Sequence, residues 1–247
     1  MKKALPLHHV RAPVAGSPPA AASSSTSCSS QHESPPLLLL LHGTGDNEYG
    51  LTQLANLAPK HCVVASLRAP LNAPFGGFRW FEGYSAMPEQ VALKHSIPKS
   101  CDELFDFIQK APAHFGTNPN KTFLLGFSQG ATIGWASLVS RWPRAGFIAG
   151  AALVSGRLMP QFFEANTTLN SRLAQRDQLR NVPVFASHGA LDPVTPVRVG
   201  RENKALFYDF GGQDVFDFRY FEDPSSGHDI PASVAVELRS WLDDKLS

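Results

Sequence analysis

Cysteine is scarce in this chain. Cys28, Cys62 and Cys101 are the only three in 247 residues, and their spacing is neither paired nor metal-like. That argues against a disulfide framework or a zinc module and fits a reducing compartment; Cys62, heading an apolar run, reads as a small buried residue. Charge of one sign is lacking too. With 22 basic and 21 acidic residues the formal net charge is +1, which gives no electrostatic case for nucleic acid or for an anionic membrane. Any ligand must then be recognised by shape and chemistry. No apolar run approaches the roughly 20 residues that a membrane span requires; Leu37–Leu41 ends abruptly at His42-Gly43. Stable membrane insertion is therefore not expected, and the expected location is the cytoplasm.

What is present suits one domain over residues 1–247. A 43% hydrophobic share supplies a core for a doubly wound sheet of this length. Residues 11–35 form a low-complexity stretch rich in Ser, Pro and Ala, unable to bury enough to order itself. Two readings of the N-terminal segment stay open. Met1-Lys-Lys with Arg11 and abundant serine has the composition of an organelle transit peptide. Alternatively, Leu5-Pro-Leu-His-His-Val is a first strand, with the serine tract looping back to Leu37 and with His8 and His9 on the surface.

Beyond the tract, strands and helices alternate, which argues a mostly parallel central sheet flanked by helices. Strands are expected at Leu37–Leu41, Cys62–Leu67, Lys121–Leu125, Phe147–Val154, Val184–Ser187 and Val215–Phe221. Helices are expected near Leu51–Ala58, Ser100–Ala113, from Ala131, Val197–Phe210 and Ala232–Leu242; Leu104, Phe105, Phe107 and Ile108 crowd the core side of the second. The stretch between Gly156 and Val182 is too short for a large cap.

The chemistry enters at Gly126-Phe-Ser-Gln-Gly130, where an apolar strand runs into a helix. A serine there, with glycine two residues away on either side, sits on a tight strained turn that pushes its Oγ clear of the backbone. Ser128 is the candidate nucleophile. Its base and orienting acid should follow in the order acid, then histidine. Only His188 and His228 lie after Ser128, and only His228 lies beyond Asp192, the acid on the loop after a late strand. Asp192 before Pro193 also suits a turn or helix N-cap, and His228 after Gly227 also suits a solvated loop; their joint order and placement favour a Ser128, Asp192, His228 triad. Two backbone donors suit a developing oxyanion. One is the N–H of Gln129 at a helix N-terminus, the other the N–H of Thr44 in the bend His42-Gly-Thr-Gly45. His42 itself reads as structural.

Leu41-His-Gly-Thr-Gly-Asp, Ser66-Leu-Arg-Ala-Pro, Gly76-Gly-Phe-Arg-Trp-Phe, Leu125-Gly-Phe-Ser-Gln-Gly-Ala-Thr, Leu153-Val-Ser-Gly-Arg-Leu, His188-Gly-Ala-Leu-Asp-Pro-Val and Gly227-His-Asp-Ile-Pro stand in this order. Together they resemble the phospholipase/carboxylesterase family of the α/β-hydrolases, from about Leu37 to the C-terminus. The resemblance implies the α/β-hydrolase fold without a large cap domain, the triad and oxyanion donors above, and an acyl pocket near Trp80, Phe81 and Leu158. It implies a serine hydrolase of carboxylic esters or thioesters of short-to-medium acyl groups, working without metal or cofactor. An acyl-protein thioesterase or lysophospholipase is the nearer alternative, and a non-catalytic ligand-binding member of the fold is the alternative of another class. Tyr49-Gly50 departs from the tryptophan-bearing segment that thioesterase members often carry there. The expected partner is a small-molecule ester or thioester; a homodimer is compatible with the sequence.

Overall fold

The computed structural model describes residues 5–14, 33–84, 87–88, 92–140, 148–164, 179, 182–211 and 217–247. Seven strands share one sheet: β1 (His9–Ala12), β2 (Leu37–Leu41), β3 (Val63–Leu67), β4 (Thr122–Phe127), β5 (Gly150–Val154), β6 (Val184–Gly189) and β7 (Phe218–Asp223). Their order across the sheet is β1-β3-β2-β4-β5-β6-β7. All neighbours pair in parallel except β1, which runs antiparallel to β3 at the edge.

The five leucines of β2 show how the sheet is held. All five are fully buried, as expected for a central parallel strand covered on both faces. Leu37, Leu39 and Leu41 join the core layer containing Leu104, Trp135 and Phe207, while Leu38 and Leu40 join the opposite layer with Leu238 and Trp241. The two-residue period thus feeds both layers, each leucine contributing roughly 1.5–3 kcal/mol by burial.

Five α-helices lie among the described residues: α1 (Ile97–Phe115), α2 (Gln129–Ser140), α3 (Gln161–Glu164), α4 (Val197–Gly211) and α5 (Ala232–Lys245). Helix α1 starts earlier than expected, after a π-helical turn at Ala92–Ser96, because Pro98 falls in its first turn, where a missing N–H costs nothing. It ends at Gly116, whose φ of 72° closes the helix by an N–H bond to the Pro112 carbonyl. Leu104, Phe105, Phe107 and Ile108 face the core as anticipated. Helix α2 is enclosed nearly all round, with Ile133, Trp135, Ala136, Leu138 and Val139 buried. Thr52–Leu57 forms a 3-10 helix in the place expected for a helix.

The N-terminal strand needs a correction. It spans His9–Ala12 rather than Leu5–Val10. Pro6 has no N–H for a ladder, and the pairing with β3 begins at His9 opposite Leu67. His9 is half-buried against Phe107, His114 and Phe115 rather than lying free on the surface. The serine tract at 15–32, Cys28, Asn166-Thr-Thr and most of the 156–182 connection lie outside the described residues.

Candidate active site

Ser128 follows β4 directly and begins the turn into α2 with a φ of 55°, left-handed for a residue with a Cβ. Such a backbone costs about 1–2 kcal/mol. It is imposed from two sides: the Ser128 N–H donates to the Val154 carbonyl at 2.9 Å, and the Ser128 carbonyl accepts from the Thr132 N–H at 3.0 Å. The serine therefore belongs to the sheet through one group and to the helix through another. The flanking glycines are sterically required. A Cβ at Gly126 would lie 2.7 Å from the Ala131 backbone, and one at Gly130 only 2.0 Å from the Leu41 carbonyl oxygen.

Three residues from three strand-end loops converge at this turn. The Ser128 Oγ–H donates to His228 Nε2 at 2.9 Å, and His228 Nδ1–H donates to Asp192 Oδ2 at 2.7 Å. The other carboxylate oxygen, Asp192 Oδ1, accepts the N–H groups of Val194 and Thr195, both at 2.8 Å. Asp192 therefore caps its own turn and faces the imidazole at once, so the two readings of this residue coexist. Burial pushes the Asp192 carboxyl up, but the bonds from His228, Thr195 and Val194 outweigh it and hold it below its ordinary 3.8. The His228 loop is tied by Asp223, at the end of β7. Its carboxylate accepts from the N–H groups of Ser225 and Ser226 and from the hydroxyls of Ser225 and Ser233, which brings its pKa down to about 2.

The His42–Gly45 bend also lies against Ser128, since a Cβ at Gly43 would stand 3.2 Å from Ser128 Cβ. Among the described residues, no hydrogen bond engages the backbone N–H of Thr44 or of Gln129. His42 is wholly buried and holds the bend: Nε2 accepts the Ala69 N–H at 3.0 Å, so the ring proton sits on Nδ1 and donates to the Gly43 carbonyl at 2.6 Å. Burial keeps this imidazole neutral by lowering its pKa. The structural reading of His42 is the one observed.

Trp80, Phe81 and Leu158 are placed differently from an open pocket wall. Trp80 and Phe81 are fully enclosed, and Leu158 is almost so. Trp80 acts as a strut: its indole N–H donates to the His42 carbonyl at 2.9 Å, and its own carbonyl accepts the Ser100 hydroxyl at 2.5 Å. Leu158 packs with Met159, Phe162 and Phe163 at the start of the 156–182 connection.

Several contributors to this site escaped the sequence reading. The Gln129 side chain is buried and clasps the 80–83 segment. Its Oε1 accepts the Trp80 N–H at 2.9 Å, and its Nε2 donates to the carbonyls of Phe81 and Gly83 at 3.0 and 2.9 Å. Arg68 Nε donates to Glu48 Oε2 at 2.6 Å, and the guanidinium lies 4.5 Å from the centre of the Phe78 ring. Phe78 in turn pairs with Gly45 and Asp46 through its backbone. None of these contacts carries a local signal, since the partners stand 10 to 49 residues apart. The block Ser66-Leu-Arg-Ala-Pro marked Arg68 without revealing its partner.

Acyl-protein thioesterase 1 of Kluyveromyces lactis is 29% identical over 192 residues, covering 73% of this chain and 79% of that protein. A probable inactive carboxylesterase of Oryza sativa subsp. japonica is 27% identical over 66% of each. Among solved structures, the Bacillus cereus carboxylesterase superposes with a TM-score of 0.71 at 22% identity, covering 97% of this chain and 94% of that one. A carboxylesterase from Mesorhizobium loti gives a TM-score of 0.66 at 26% identity over 85% and 90%. The profile of the phospholipase/carboxylesterase family matches residues 23–242, and the chain belongs to that family.

Proposed function

We propose that this protein is a serine hydrolase that cleaves carboxylic esters or thioesters of short-to-medium acyl groups through an acyl-enzyme. One observation carries the reading: the unbroken hydrogen-bond line from Ser128 Oγ through His228 to Asp192, at 2.9 and 2.7 Å. In the proposed cycle His228 Nε2 takes the serine proton as Oγ attacks the acyl carbon. The oxyanion is received by the N–H groups of Thr44 and Gln129, the latter at the positive end of α2. The imidazolium gives its proton to the departing alcohol or thiol, leaving Ser128 acylated; water, deprotonated by His228, then releases the acid and restores the serine. Asp192 holds the imidazole with its proton on Nδ1 throughout.

Acyl-protein thioesterases among the relatives favour a thioester substrate as the second reading. The proposed acyl contact is the group Leu158, Met159, Phe162 and Phe163, which is nearly closed in this structure and must part to admit an acyl chain; a small-molecule substrate and a cytoplasmic location belong to the same proposal. No helix among the described residues is long and apolar enough to cross a membrane. The test is a panel of p-nitrophenyl esters and acyl thioesters of graded chain length, read as kcat/KM. Efficiency should rise by up to about 0.8 kcal/mol of transition-state binding per buried methylene and then level off. No turnover of any member would favour a ligand-binding role instead.

A further inference from the structure

His188 is a buried histidine that the proposed mechanism leaves unused. It ends the apolar part of β6, and its Nε2 lies 2.6 Å from the Thr195 carbonyl oxygen. A carbonyl only accepts, so Nε2 carries the ring proton. The same Nε2 stands 3.6 Å from Asp192 Oδ2, the oxygen that holds His228. That is too long for a hydrogen bond, and the N–H is given to the Thr195 carbonyl, but the ring lies directly beside the carboxylate. Burial lowers the His188 pKa, which keeps the ring neutral, so it does not compete with His228 as a second cation beside Asp192.

The surroundings fix this ring. Helix α4 passes so close that a Cβ at Gly200 would lie 2.7 Å from His188 Cγ. Thr195, which accepts the His188 proton through its carbonyl, gives its own N–H to Asp192 Oδ1. The chain of contacts therefore runs from His188 to Thr195, from Thr195 to Asp192 and from Asp192 to His228.

We infer that His188 is a positioning residue for the reaction: by holding the 192–195 turn and facing Asp192 Oδ2, it sets the rotamer in which the acid orients His228. The inference rests on the triad reading above. If it holds, His188→Leu should lower kcat by about 10²-fold with KM unchanged, the scale of loss when a reacting group is displaced from its working geometry. His188→Gln, which keeps an N–H donor within reach of the Thr195 carbonyl, should restore most of that loss. Because the effect passes through Asp192, His188→Leu should cost almost nothing further in an Asp192→Asn background.

The experiment measures kcat and KM on one p-nitrophenyl ester for His188→Leu, His188→Gln, Asp192→Asn and the Leu/Asn double variant, with thermal melts on each. If His188→Leu does not fold, His188→Asn replaces it alone and in the double variant, since its shorter amide cannot reach Thr195. Full activity of Asp192→Asn would remove the triad reading itself. With that activity lost as expected, unchanged kcat in the His188 variant would overturn the inference, as would multiplicative losses in the double variant or no rescue by glutamine.

Discussion

Two halves meet at Ser128 and are built on different principles. The acid–base half is made from the loops after β6 and β7: Asp192 and His228 stand in short hydrogen bonds among turn residues, and Leu191 and Val194 beside the acid are exposed. The proposed oxyanion half is made from neutral groups locked inside the core: His42, Trp80 and the Gln129 side chain, each bonded to backbone carbonyls or N–H groups of another segment. In the proposed cycle the first half moves a proton in each step, so its groups need titratable atoms and partial access to water. The second must keep two N–H groups still while charge develops, so it is paid for in buried, fully partnered polar contacts. Substitutions in the first should therefore strike turnover and spare stability, whereas those in the second should strike both.

The largest effect is expected at the shared residue. Ser128→Ala should reduce kcat by roughly 10⁶-fold while the melting temperature holds, measured on one preparation by ester hydrolysis and thermal melting. Asp192→Asn should cost about 10⁴-fold in activity at neutral pH through the wrong imidazole tautomer. Its amide oxygen can still accept from Val194 and Thr195, so stability should change little. Asp192→Ala, lacking that acceptor, should lose about 1 kcal/mol more in a denaturant titration. Equal stability of the two variants would separate the turn from the carboxylate.

Across the divide, Gln129→Ala should behave differently. It leaves buried N–H and carbonyl groups of residues 80–83 without partners, at about 1–3 kcal/mol for each group unsatisfied. A lowered melting temperature should accompany a drop in kcat of about 10²-fold, as the amide beside it loses its support. Unchanged stability would mean that the 80–83 segment does not depend on this clasp.

A pH titration of stability should show one feature that the two halves share. His42 and His188 both have folded pKa values lowered from 6.5 by burial. The folded state thus binds fewer protons than the unfolded chain as pH drops. Their contribution is fully present above pH 6.5 and is lost as pH falls towards the lowered values, at a limiting slope of about 1.4 kcal/mol per pH unit for each ring. His188→Gln should flatten that slope. The smallest effect is expected for Trp80→Phe, which removes one donor from the His42 carbonyl and should cost about 1 kcal/mol in stability.

The two halves also differ in how far the sequence exposes them. Ser128, Asp192 and His228 could be picked out because strand-to-helix context, chain order and glycine spacing are local signals, and the structure brings those three side chains together. The parallel sheet was equally legible from runs such as Leu37–Leu41, whose burial on both faces needs no polar alternation. The expectation of a pocket wall at Trp80 and Phe81 rests on the family resemblance alone. Their enclosure follows from bonds to His42, Ser100 and Gln129 that only the folded chain brings into range. The edge strand was displaced towards its C-terminal side because Pro6 removes a ladder donor, and pairing register is set by β3 rather than by local apolarity.

The central claim is that Ser128, activated by His228, is the nucleophile. Incubation of the purified protein with a fluorophosphonate, followed by peptide mass spectrometry, tests it most directly. The account predicts one covalent adduct per chain, on Ser128, and none in Ser128→Ala or His228→Ala. An adduct on another serine, or stoichiometric labelling that survives Ser128→Ala, would contradict it.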